Sequence, residues 1–141
     1  MKNLLLIDPT LRIRFLSDTV DGHVHDKRLA DANPYPLPPN SWLLQDLGFL
    51  GFTLANVETL TPFKRPPGGS LTPAQKAFNR QLAALRVRIE HVIRSVKRCR
   101  MVKDICRLHT VGARDAVMEI ACSLHNFRLS LFPWQPLIKS E

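Results

Sequence analysis

The sequence predicts one α/β domain, and three of its features support that prediction. Two short apolar runs near the start flank a turn containing Pro9, which indicates a β-hairpin. A compact apolar strand is predicted at 41–46, and a long amphipathic helix begins at Thr72. A chain of 141 residues with 45% hydrophobic content is long enough to bury a single core.

The predicted hairpin joins Lys2–Ile7 to a second strand at 12–17, in which apolar and polar residues alternate. Asp8-Pro9-Thr10-Leu11 lies between them, and proline suits the second position of a type I turn. A short helix is expected at Asp26–Ala32. The four prolines within Asn33–Asn40 forbid regular structure and favour a stiff, extended loop.

The next predicted strand, Ser41–Asp46, ends on a carboxylate, and one more short strand is expected at Thr59–Phe63. A helix then opens with Thr72 as its N-cap, a proline at its first position and Gln75 placed to close a capping box. Apolar residues recur along it at helical spacing and predict one buried face: Phe78, Leu82, Leu85, Ile89, Val92 and Val96.

A second helix is predicted from Val111 to Leu129, and the residues after it, 130–141, are expected to form an irregular tail containing two prolines. The domain itself is therefore expected to span residues 1–129. The predicted buried face of this helix consists of Val117, Ile120, Leu124 and Phe127.

The positive charge is concentrated in one block of the chain. The net charge is +8, and residues 64–107 contain twelve basic and only two acidic residues. Such a block favours a phosphate-binding surface and DNA as the partner, although a solvated helix face would have the same composition. The candidate phosphate contacts are Lys64, Arg65, Lys76, Arg80, Arg86, Arg88, Arg94, Lys97, Arg98, Arg100, Lys103 and Arg107.

Cysteine content and hydropathy argue against several classes of protein. Three cysteines without paired spacing indicate neither a disulfide framework nor a zinc cluster. No apolar run approaches the roughly 18 residues that a membrane span needs, and the apolar start is too short for a signal peptide. We therefore expect a cytoplasmic, nucleoid-associated protein without a membrane partner.

Two acids are candidate metal ligands. Asp46 ends a predicted strand, where an Asp is also a common turn former. Glu90 lies on the long basic helix four residues after Arg86 and four before Arg94, so a salt-bridge stripe is the alternative reading. A strand-end carboxylate and a helix carboxylate together suit two divalent cations for phosphodiester chemistry, because carboxylate oxygens suit Mg²⁺.

Four segments, taken in order, resemble one protein family. They are Gly22-His23-Val24-His25-Asp26, Gln45-Asp46-Leu47-Gly48-Phe49, Leu71-Thr72-Pro73-Ala74-Gln75, and Arg86-Val87-Arg88-Ile89-Glu90-His91-Val92-Ile93, the last of which is followed by Lys97. Their order and spacing, within 2–127, are similar to those of DDE transposases of bacterial insertion sequences related to the eukaryotic Harbinger group.

The resemblance implies an RNase H-like fold, a mixed sheet of five strands with helices on both faces. It also implies an Asp-Asp-Glu triad that binds two Mg²⁺ (or Mn²⁺) ions, with Asp46 as its second member and Glu90 as its third. The implied reactions are DNA cleavage by water and strand transfer by the freed 3′-hydroxyl. His25, Asp26 and His91 are expected to border the site.

The family's first Asp lies on a central first strand, upstream of the hairpin that begins here at Lys2. Asp8, Asp18 and Asp21 do not occupy that position, so the sequence is interpreted as a fragment that lacks the first strand and is inactive alone. Its expected partners are DNA, a second copy, or the missing N-terminal part of a transposase. The alternatives are a non-catalytic basic DNA-binding or oligomerisation remnant that regulates full-length transposase, and a ribonuclease-type hydrolase using Asp46, Glu90 and a local Asp.

Overall fold

The computed structural model describes residues 1–35, 37–103, 110 and 112–134. The chain divides into two compact units. Unit 1 comprises residues 1–4 and 20–87, and unit 2 comprises residues 5–19 and 88–141. The long predicted helix contributes residues to both units, because the division falls between Val87 and Arg88.

Unit 2 contains the predicted hairpin. Strand β1 (Leu5–Ile7) pairs antiparallel with β2 (Ile13–Leu16), and the register shifts between Leu6 and Ile7. The turn between the strands is closed by a hydrogen bond from the Leu11 amide to the Asp8 carbonyl at 2.8 Å. Leu11 follows in the left-handed region with φ +67°, as in three-residue hairpin loops that combine a type I turn with a bulge. The hairpin prediction is confirmed, with a shorter first strand than expected.

The Asp8 side chain organises this turn. Its Oδ1 accepts hydrogen bonds from the Thr10 amide at 2.9 Å and the Arg12 amide at 3.0 Å, and Oδ2 pairs with Arg14 Nε at 2.6 Å. Partial burial raises the pKa of Asp8, but the hydrogen bonds from Thr10, Arg14 and Arg12 outweigh it and leave the pKa below its usual value. Asp8 is thus a structural turn residue.

Helix α4 (Ala113–Leu131) packs on the hairpin within unit 2. It is preceded by a short helix, α3 (Arg100–Lys103), and by residues 104–109 and 111, which lie outside the described part of the chain. Two of its side chains bind the hairpin backbone. His125 Nε2 lies 2.9 Å from the Leu11 carbonyl oxygen, and Asn126 bonds both the amide and the carbonyl of Ile13.

The predicted buried face of this helix is wrong. Val117 is buried, but Ile120, Leu124 and Phe127 are 58–63% exposed. The helix instead buries a stripe that contains small and polar residues, consisting of Met118, Ala121, Cys122, His125 and Leu129. Hydrophobicity selected the wrong stripe because His125 becomes an acceptable core residue only when the hairpin supplies a carbonyl to bind it.

Helix α2 (Pro73–Lys97) begins where the sequence predicts. The capping box is present, since the Thr72 amide donates to Gln75 Oε1 at 3.0 Å and the Gln75 amide donates to Thr72 Oγ1 at 3.2 Å. The predicted face is buried at Leu82 in unit 1 and at Val92 and Val96 in unit 2. Of the remaining positions, Phe78 and Ile89 are half-buried and Leu85 is 46% exposed.

The exposure of Leu85 corrects the expectation of one continuous buried stripe. Periodicity indicates which side of a helix is apolar, but it does not indicate where along the axis neighbouring elements cover that side. Val92 and Val96 belong to the core of unit 2, which also contains Leu11, Ile13, Met118, Ala121, Cys122 and Leu129. Burial raises the pKa of the Cys122 thiol to about 11, consistent with a core thiol.

Unit 1 contains helix α1 (Asp26–Ala32) and two parallel strands. Strand β3 (Ser41–Leu44) pairs with β4 (Val57–Leu60) in the register Ser41 to Val57 and Leu44 to Leu60. The last strand was expected at Thr59–Phe63. It ends earlier because Pro62 has no amide hydrogen to continue the ladder.

The class is therefore mixed α/β, as predicted. Among the described residues the strands form two separate two-stranded sheets, one antiparallel and one parallel, and not one continuous sheet. The second helix extends to Leu131, so the predicted tail begins later than residue 130, and residues 135–141 lie outside the description. No helix within the described ranges is long and apolar enough to cross a membrane.

Candidate functional site

Asp46 lies directly after the parallel pair in unit 1. It is the N-cap of a 3₁₀ turn (Leu47–Phe49), with its Oδ1 accepting a hydrogen bond from the Leu47 amide at 2.8 Å. Its side chain is 47% exposed. The turn-forming role expected of Asp46 is therefore present, and its half-exposed carboxylate lies at the carboxyl end of a strand, while its role as a metal ligand stays a prediction.

The neighbouring Gln45 holds the loop that follows Asp46, a role that the sequence analysis missed. Gln45 is only 9% exposed, its amide extends the β3–β4 pairing to the Leu60 carbonyl, and its Nε2 donates to the Phe52 carbonyl at 3.2 Å. Its Oε1 is buried without a hydrogen-bond partner in the part of the chain that the structure describes. Strand alternation could have indicated this role, because Gln45 follows the buried Leu43 by two residues.

Arg86 is the charged partner of Asp46. Its Nη2 lies 3.2 Å from Asp46 Oδ2, and the two side chains are 42% and 47% exposed. The sequence placed Arg86 in a stripe with Glu90 and Arg94, or on a phosphate-binding surface. Helical spacing predicted Glu90 as the partner of Arg86, because the two residues lie four positions apart in one helix. The observed contact with Asp46 depends instead on the tertiary packing of unit 1.

Glu90 is held loosely in unit 2. Its side chain is 51% exposed, and its Oε2 lies 4.0 Å from Arg94 Nη2, four residues further along α2. The sequence predicted that Glu90 would pair with Arg86 and with Arg94, and the contact with Arg94 is present in the structure. An exposed pair of this kind contributes at most about 1 kcal/mol, so the orientation of the Glu90 carboxylate is weakly constrained.

His25 and Asp26 lie at the start of α1 in unit 1. His25 is the N-cap, and its Nδ1 accepts from the Lys27 amide at 3.3 Å. Asp26 Oδ1 pairs with Lys2 Nζ at 2.9 Å, and its Oδ2 lies 2.6 Å from where a Cβ on Gly48 would be. Gly48 thus lets the Asp26 carboxylate approach the 3₁₀ turn that begins after Asp46.

The other predicted neighbour of the site, His91, is exposed in unit 2, where its ring lies 5.2 Å from the Trp134 ring. Most of the candidate phosphate-binding residues are exposed, as a binding surface requires: Lys64, Arg65, Lys76, Arg80, Arg94, Lys97, Arg98 and Arg100. Arg88 is half-buried, and its Nε has no partner among the described residues. Arg107 and the Lys103 side chain lie outside the description.

The donor chemistry of Asp46 and Glu90 fits Mg²⁺ or Mn²⁺. Both carboxylates are about half exposed, and hard oxygen donors are the ligands these cations take. At Asp46 the Arg86 guanidinium lies 3.2 Å from Oδ2, so this oxygen already pairs with a positive charge in the structure. No group of three or more His, Cys, Asp or Glu side chains is placed to hold a metal within residues 1–35, 37–103, 110 and 112–134.

Carboxylate oxygens such as those of Asp46 and Glu90 are the donors that two-metal phosphodiester chemistry uses, but their geometry alone does not define a class of protein. Comparison with known families is more specific, because residues 1–126 match the family described as DDE superfamily endonuclease. The chain belongs to this family. The resemblance inferred from the four sequence segments is thereby confirmed.

A curated relative supports the same family. The chain is 36% identical over 112 residues to a probable transposase for the insertion sequence element IS702 from Microchaete diplosiphon. The match covers 78% of this chain and 40% of the relative, so the chain spans less than half of that protein's length. No solved structure matches the chain significantly.

Proposed function

We propose that this chain carries the second and third metal-binding carboxylates, Asp46 and Glu90, of a DNA transposase. The observation that carries the proposal is the position of Asp46, which is half exposed at the carboxyl end of a parallel strand and is held by the 3₁₀ turn and Gln45. The assignment of Glu90 depends on the resemblance.

The strand pairing supports an RNase H-like fold. In that fold an antiparallel hairpin and a parallel pair flank one central strand, and the chain contains one pair of each kind. The loop after the parallel strand β3 begins with Asp46, and carboxyl ends of parallel strands are common positions for ligand-binding residues in α/β proteins.

When bound, Mg²⁺ or Mn²⁺ would supply charge stabilisation for the attacking and leaving oxygens of a DNA phosphodiester. The residues of the chain would hold the donor oxygens in place. The Leu47 amide fixes one Asp46 oxygen, and Gln45 ties the following loop to the strand through the Phe52 carbonyl. Asp26, in contact with Lys2 and beside Gly48, supports the same turn.

The exposed basic residues of α2 and the preceding loop are proposed to contact DNA phosphates. Family membership implies a DNA substrate, and residues 64–107 contain twelve basic residues against two acidic ones. We expect affinity for DNA to fall steeply as salt increases, because each neutralised phosphate releases counterions. A dissociation constant that does not change between low and physiological salt would contradict this assignment.

Metal binding tests the carboxylates directly. Mn²⁺ titration of the 141-residue chain, followed by the electron paramagnetic resonance of free Mn²⁺, should show binding that Asp46→Ala and Glu90→Ala each weaken at least tenfold. Asp31→Ala and Glu119→Ala are the matched controls, since Asp31 forms an exposed ion pair in α1 and Glu119 is exposed on α4. Equal loss in the control variants, or none in the test variants, would refute the proposal.

The 141 residues supply two of the three carboxylates that the family resemblance implies, so we expect nicking by this polypeptide alone to stay at background. Two carboxylates hold a metal pair poorly, since the ligand charge is reduced. Nicking of terminal-repeat DNA that disappears in both Asp46→Ala and Glu90→Ala would contradict this expectation.

The charge of residues 64–107 also favours a second function, in which the chain binds DNA without cleavage and regulates a complete transposase.

A further inference from the structure

Both oxygens of the Asp46 carboxylate are occupied by groups of the protein. The Leu47 amide donates to Oδ1 at 2.8 Å, and the Arg86 guanidinium lies 3.2 Å from Oδ2. The amide contact is local and belongs to the 3₁₀ turn. The guanidinium contact joins residues 40 positions apart in sequence, so only the folding of unit 1 creates it.

The partner of Asp46 is a permanent cation. An arginine stays protonated at every physiological pH, and its planar guanidinium matches a carboxylate better than an ammonium does. A divalent ion that bound Oδ2 would have to lie within about 2.0–2.6 Å of that oxygen. Arg86 Nη2, 3.2 Å from the same oxygen, occupies this position and would repel such an ion, although solvent screens the repulsion because the pair is exposed.

We propose that Arg86 is the internal counter-ion of Asp46, and that a divalent cation binds Asp46 only by displacing the guanidinium. The inference depends on the proposed function, because it treats Asp46 as a metal ligand. Arg86 then competes with the cation for the Asp46 carboxylate, and this competition raises the cation concentration at which Asp46 is half occupied.

The exposure of the pair determines the size of the effect. Arg86 and Asp46 are 42% and 47% exposed, and exposed pairs are weak, so the competitor lowers cation affinity without preventing binding. We expect removal of the guanidinium to raise Mn²⁺ affinity by about two- to fivefold. The gain should shrink at high salt, because ions screen an exposed pair.

The first test compares Mn²⁺ affinity in the 141-residue chain and two variants. Arg86→Gln should bind Mn²⁺ about two- to fivefold more tightly than the unaltered chain. Lys27→Gln is the matched control, since Lys27 forms an exposed ion pair in the same unit, 2.6 Å from Asp31. Unchanged or weaker binding in Arg86→Gln, or an equal gain in Lys27→Gln, would overturn the inference.

A second readout requires no change at Arg86 and remains decisive if Arg86→Gln does not fold. In ¹H–¹⁵N spectra of the arginine side chains, the Arg86 Nε signal should shift and sharpen as Mg²⁺ is added, because the guanidinium is released. The same titration of Asp46→Asn should leave the signal unmoved. If the chain binds Mg²⁺ and the position and linewidth of the Arg86 Nε signal do not change, the inference is overturned.

The failure of the inference can be distinguished from failure of the proposed function. If Asp46→Ala leaves cation binding intact, Asp46 is not a ligand, and both proposals fail. If Asp46→Ala abolishes binding while Arg86→Gln changes nothing, the metal site stands and Arg86 is not its competitor.

Discussion

The two units attach a peptide segment to a long helix by the same contact, but in different surroundings. In unit 1, Asn79 of α2 accepts from the Phe63 amide at 2.8 Å and donates to the Phe63 carbonyl at 3.0 Å. In unit 2, Asn126 of α4 makes the same two bonds to Ile13, each at 2.9 Å. Phe63 is 47% exposed, whereas Ile13 is only 7% exposed.

The difference in burial determines what each asparagine contributes. When an exposed pair of hydrogen bonds is lost, water replaces it, so the net cost is small. When a part-buried pair beside a buried residue is lost, the Ile13 amide and carbonyl are partly shielded from water, so the cost includes part of their desolvation. The same two hydrogen bonds are therefore expected to contribute more to stability in unit 2 than in unit 1.

The largest expected effect concerns the core beneath the Asn126 contact. Leu129→Ala should lower the free energy of unfolding by about 2–5 kcal/mol, because Leu129 is buried in the core of unit 2. Leu124→Ala, on the same helix but 58% exposed, should change it by less than about 0.5 kcal/mol. Urea denaturation measures both. Equal losses would mean that the observed orientation of α4 is wrong.

The comparison of the two asparagines is itself testable. Asn126→Ala should cost about 1–3 kcal/mol, and Asn79→Ala about 0.5–1.5 kcal/mol. Amide hydrogen exchange locates the effect, since each substitution should accelerate exchange at the one amide it bonds, Ile13 or Phe63. If Asn79→Ala destabilises as much as Asn126→Ala, burial does not explain the difference between the units.

The smallest expected effect is a pH dependence in unit 2. Hydrogen bonds from Thr19 hold the pKa of Asp115 below its usual value, and the pKa of Asp8 is lowered as well. Because both pKa values are depressed in the folded state, the stabilisation is present above the ordinary value near 3.8 and is lost as pH falls through the lowered values.

Thermal unfolding between pH 5 and pH 2 measures this effect. The chain should lose stability with acid, and the combined variant Asp8→Asn, Asp115→Asn should lose less over the same range. A combined variant with the same acid sensitivity as the unaltered chain would show that other carboxylates cause the loss.

Local signals in the sequence predicted the elements that local interactions determine. The capping box at Thr72 was sufficient to predict the start of α2, and the prolines of the connector were sufficient to predict the absence of helix and strand at 33–35 and 37–40. The hairpin was likewise predictable from its turn. The family was predictable because four short segments occur in one order, and the family match over residues 1–126 confirms it.

The sequence was less informative about contacts between distant residues. It identified Asp46, but gave no indication that Arg86 is its partner, since helical spacing pointed Arg86 toward Glu90. The roles of Asp46 and Glu90 as ligands of one metal pair stay a prediction. The buried face of α4 was missed because His125 and Ala121 have low hydrophobicity.

The amino-acid sequence alone determined the family and the order of the main strands and helices, and it indicated two candidate carboxylates, because these depend on residue types at short spacing. Tertiary structure decided which side of α4 is buried, which asparagine contact is the more buried, and which cation pairs with Asp46. Those outcomes depend on contacts between backbone groups and charges that are far apart in sequence. Packing and desolvation determine which of these contacts form.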